Sequence, residues 1–125
     1  LDGAHNEAAA EALCAAWREA FPGELAKLIF GAAESKDLVA IFKAILPVIG
    51  SITFVPIQSE RRISAGEMTE AFVTAGGELE KVKSAENLSE ALTIGQGRVL
   101  VAGSLFLVGE VRAIVEGGDY EVSLQ

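Results

Sequence analysis

Val99-Leu100-Val101-Ala102 is an unbroken apolar run that leads straight into Gly103-Ser104. Leu28-Ile29-Phe30 and Ile52-Thr53-Phe54-Val55 are short, mostly apolar runs of the same kind. Runs without polar alternation suit strands buried on both faces, the condition of a parallel sheet covered by helices. Leu79 to Val82 reads as a weaker fourth strand at an edge, and Leu1 as the tail of a fifth whose earlier residues lie upstream.

Helical patterns alternate with these runs. Ala9, Leu13, Trp17 and Phe21 recur at every fourth position and make one apolar stripe, with Asn6 as the expected cap and Pro22-Gly23 as the stop. Leu38, Ile41, Phe42, Ile45 and Leu46 make a second stripe, opened by Asp37 and closed near Pro47. Ser64-Ala65-Gly66-Glu67 has the form of a capping box, and Met68, Ala71, Phe72 and Ala75 follow it up to Gly76-Gly77. Leu88, Ala91 and Leu92 predict a fourth helix that opens near Ser84 and stops at Gly95. Leu107, Val108, Val111, Ile114 and Val115 predict a fifth, ended by Gly117-Gly118, with Tyr120, Val122 and Leu124 alternating as in a further strand. Strand-helix alternation of this regularity predicts an α/β domain: an open, mostly parallel, Rossmann-like sheet flanked by helices on both faces.

The bulk numbers agree with one domain. The chain has 125 residues, half of them apolar and 22% charged, enough for a real core. The net charge of −8 disfavours nucleic acid and anionic membranes as partners, and an anionic ligand would need a local cationic or N–H-rich pocket. Arg61-Arg62 is the one adjacent basic pair; it reads as solvated, with one of the two facing the site as the alternative. One cysteine, Cys14, and one histidine, His5, exclude an internal disulfide and a Cys- or His-cluster metal site. No apolar run approaches membrane-spanning length, and no secretory signal pattern opens the chain, so a cytoplasmic setting is expected.

In a parallel α/β sheet ligands bind beyond the carboxyl ends of the strands. The segments predicted there are Asp2 to Asn6, Gly31 to Asp37, Pro56 to Ile63, and Gly103-Ser104. Three of them lead into helix N-termini, whose free N–H groups favour anions. Asp2 can accept hydrogen bonds from ribose hydroxyls, and His5 can donate to a phosphate or carboxylate; the competing reading of Leu1-Asp2-Gly3-Ala4-His5-Asn6 is a turn followed by a helix cap. Lys36 is placed to clamp a carboxylate or phosphate, or else is a solvated lysine beside Asp37. Ser104 offers a hydroxyl at a helix start, or serves only as its cap. There is no G-x-x-x-x-G-K-[ST] and no G-x-G-x-x-G, and His5 and Ser104 lack the partners of a hydrolytic triad. No catalytic residue and no metal ligand is therefore assigned within the chain.

Leu1-Asp2-Gly3-Ala4-His5-Asn6 and Gly103-Ser104-Leu105-Phe106-Leu107-Val108-Gly109-Glu110-Val111-Arg112, with the Gly31 to Asp37 loop between them, resemble the carboxy-terminal domain of folylpolyglutamate synthase/dihydrofolate synthase, in the Mur ligase superfamily. The likeness spans essentially the whole chain. Glu7, Ser35 and Phe106 depart from the residues common at those places, and none of the candidate site residues does. The resemblance implies an ATP-dependent, ADP-forming ligation of L-glutamate to folate or dihydropteroate through an acyl phosphate. It implies that the phosphate loop and Mg2+ ligands belong to an N-terminal domain of the same polypeptide, outside this chain, so that residues 1–125 alone are inactive. It assigns Asp2, His5 and Asn6 to ATP, and His5, Lys36 and Ser104 to glutamate. The alternatives are a non-catalytic α/β ligand-binding or regulatory module, or the equivalent domain of a peptidoglycan ligase.

Overall fold

The computed structural model describes residues 3–32, 37–57, 62–95, 97–103 and 112–114, with backbone only for 3–6, 103 and 112–114. Helix α1 spans Gly3–Ala20. Leu13 and Trp17 are buried along its predicted stripe, Phe21 continues it, and Cys14 is buried beside them. The helix starts three residues before its expected cap, so Asn6 lies inside it and does not cap it. The alanine-rich sequence that follows has high helix propensity and carries the helix back through this position. Pro22-Gly23 ends it as expected, with Gly23 at φ +78°.

The chain then enters strand β1, Ala26–Gly31, whose six residues are all buried. Helix α2, Leu38–Ile45, is opened by Asp37, whose carboxylate accepts from the Ala40 N–H at 3.1 Å. A single 3-10 turn at Leu46–Val48 carries Pro47 and leads into strand β2, Ile49–Phe54. Helix α3, Ala65–Thr74, begins at the predicted capping box. Ser64 Oγ accepts from Glu67 N–H at 3.1 Å and donates to Glu67 Oε1 at 3.2 Å.

Beyond α3 the sequence expectations shift. The chain winds one 3-10 turn at Leu79–Lys81, and strand β3 is Val82–Ser84, later than the predicted Leu79 to Val82. The cause is the glycine pair. Gly76 has φ +111°, and a Cβ at Gly77 would sit 2.3 Å from the Phe72 ring, so the chain turns tightly against Phe72 before it can reach the sheet. Ser84 is thereby used by β3, and helix α4, Leu88–Thr93, is capped by Asn87, which accepts from Glu90 N–H at 2.8 Å. Strand β4 is Val99–Gly103, and strand β5 is Arg112–Ile114.

The five strands are ordered β3-β2-β1-β4-β5. The first four are mutually parallel, and β5 is antiparallel to β4. Residues 112–114 are thus strand where a fifth helix was expected. Branched residues flank this stretch, and its pairing covers an edge of β4 that would otherwise expose its backbone groups. The remainder of that predicted helix, the strand expected at Leu1 and the one expected after Gly118 lie outside the described residues.

Alternating side chains send each central strand into two cores. Leu28, Phe30, Ile52, Phe54 and Leu100 face α1, α2 and α3. There Phe30, Phe42, Phe54 and Phe72 meet in tilted and edge-to-face pairs with centroids 5.0–6.4 Å apart. Ile29, Val99 and Val101 face the other way, onto Ala91 of α4. Helices therefore cover both faces, as the unbroken apolar runs required.

Candidate functional site

The strand order fixes one special place. From β1 the chain steps outward through β2 to β3, and then returns through α4 to lay β4 on the opposite side of β1. The order reverses between β1 and β4. In open α/β sheets such a switch point leaves a crevice beyond the carboxyl ends of the two strands. Here those ends are Gly31 and Gly103, which are paired in register.

Helix N-termini collect along the same edge. α2 and α3 each start after a strand has reached its carboxyl end. α1 is joined to the beginning of β1 by residues 21–25 alone, so it must run antiparallel to that strand. Its 18 residues span about 27 Å against about 20 Å for β1, which brings Gly3 to the carboxyl edge. Each start leaves N–H groups without an intrahelical partner and carries partial positive charge.

Two backbone contacts tie these loops to the sheet. Val55 N–H donates to Phe30 O at 2.9 Å, and Ile63 N–H donates to Ala32 O at 2.9 Å. The second holds the segment after β2 against the end of β1, and Arg62 forms an isolated bridge there. From the sequence, Arg62 is half of a pair that reads as solvated, with one member facing the site as the alternative. The contact that anchors it joins positions far apart in the chain, and no local pattern announces it.

The predicted site residues divide as follows. Asp2, Lys36 and Ser104 lie outside the described residues. His5 and Asn6 are described in their backbone, near the start of α1. What the described backbone fixes is that Gly103, which precedes Ser104, stands beside Gly31, and that Asp37, which follows Lys36, opens α2. Among the described residues no group of three or more His, Cys, Asp or Glu could hold a metal ion.

Two polar side chains are buried elsewhere. Lys27 is 4% exposed, and its ammonium donates to Leu92 O at 3.1 Å, where the carbonyl end of α4 favours a cation. Thr53 is fully buried, and its hydroxyl has no hydrogen-bond partner among the described residues. Glu78 is a carboxylate held below the usual range, by a hydrogen bond with Glu80 and by the Lys81 ammonium 3.5 Å away. It sits in the connection from α3 to β3, at the edge opposite the rim.

A mostly parallel sheet with a switch point, and helices on both faces that start along its carboxyl edge, defines a Rossmann-like α/β domain. Comparison with known proteins gives the family. Residues 1–114 match the dihydrofolate synthetase C-terminal domain family, and the chain belongs to that family. Folylpolyglutamate synthase from Thermotoga maritima is similar in structure, with a TM-score of 0.70 and 28% identity over 87% of this chain and 25% of that one. Mycobacterium tuberculosis folylpolyglutamate synthase complexed with ADP gives a TM-score of 0.64 and 28% identity over 75% of this chain and 21% of that one. The chain thus spans about a quarter of the length of these relatives or less. Comparison with curated proteins gave no match. No helix among the described residues is long and apolar enough to cross a membrane.

Proposed function

We propose that the chain is the carboxy-terminal domain of an ATP-dependent, ADP-forming ligase that joins L-glutamate to folate, to dihydropteroate, or to both. The observation that carries this reading is the family match over residues 1–114, which takes in the DGAHN string and the Gly103-Ser104 stretch together. The mycobacterial relative's complex with ADP supports a nucleotide as one ligand.

A carboxylate is a poor electrophile, and ATP supplies the phosphoryl group that activates it. On this reading the chain contributes positioning and electrostatics. Asp2 holds the ribose, and His5 and Asn6 stand toward the phosphates. His5, Lys36 and Ser104 orient the glutamate so that its amine reaches the activated carboxyl. The phosphate loop and the Mg2+ ligands belong to an N-terminal domain of the same polypeptide. The reaction and its soluble substrates fit a cytoplasmic setting.

The test is an assay of the full-length gene product with labelled glutamate, ATP and each pterin acceptor in turn. Glutamate incorporation with stoichiometric ADP release is the expected result. Absence of incorporation with every acceptor would overturn the reading, and incorporation with one acceptor would fix the branch.

A further inference from the structure

We draw no further inference here: the strongest candidate, the edge of the sheet at β3, where Leu79 is exposed beside Glu78, Glu80 and Lys81 in the turn that enters the strand, carries nothing because nothing in the structure shows what covers it.

Discussion

The two edges of the sheet are built to different ends. At the amino edge side chains fasten elements together. The Trp17 indole N–H donates to Glu24 O at 2.8 Å, Arg98 Nε meets the Glu24 carboxylate at 2.9 Å, and the same guanidinium lies 4.4 Å from the centre of the Phe21 ring. The corner between α1 and β1 is thereby clamped to the start of β4. At the carboxyl edge the described contacts are mainly backbone hydrogen bonds and helix caps, and the paired strand ends are glycines. One edge ties its polar side chains to one another, and at the other the described bonds are backbone contacts and helix caps. Stability and function should therefore separate by edge.

The largest expected effect lies at the clamp. Trp17→Ala, which empties a site 2% exposed, should lower stability by about 3–5 kcal/mol, read as a shift in the urea midpoint. A loss below about 1 kcal/mol would mean that the corner is not a structural anchor. At the opposite edge Asp2→Ala or His5→Ala should leave the unfolding midpoint in place and reduce turnover of the full-length enzyme about 100-fold. Wild-type turnover in both variants would remove the roles assigned to them.

Arg98→Ala should cost about 1 kcal/mol, because its ion pair with Glu24 is half exposed and solvent weakens it, while its contact with the Phe21 ring adds a small share. Turnover should not change, and a fall in kcat without a fall in stability would contradict the division between edges. The smallest effect is expected from Thr53→Val, which removes a buried hydroxyl without a described partner and keeps the shape. Stability should stay within about 0.5 kcal/mol of wild type or rise. A loss above about 2 kcal/mol would show that the hydroxyl is bonded after all.

The same contrast explains what could be read from the sequence. Strands β1, β2 and β4 were legible because burial on both faces leaves apolar runs with no alternation. Asp37 and Ser64 were legible because capping is local chemistry, complete within four residues. The edge strands were not. β3 is three residues long and its start depends on the fit of Gly77 against Phe72, while 112–114 become strand because β4 offers an open edge. The start of α1 was misplaced because a capping asparagine and a helical asparagine look alike beside alanines. For the candidate site, each loop carried its own signal, but their order in space follows from the return of the chain between β3 and β4. The pairing of Gly31 with Gly103 is a consequence of that path.

The most direct measurement is hydrogen–deuterium exchange of the full-length protein with and without ADP and glutamate. Slowed exchange should fall on peptides from residues 3–6, 31–37 and 62–64 and from the end of β4, while peptides covering 17–24 and 97–99 keep their ligand-free rates. Protection concentrated on the Trp17–Glu24–Arg98 corner, with the β1/β4 rim unchanged, would contradict the account.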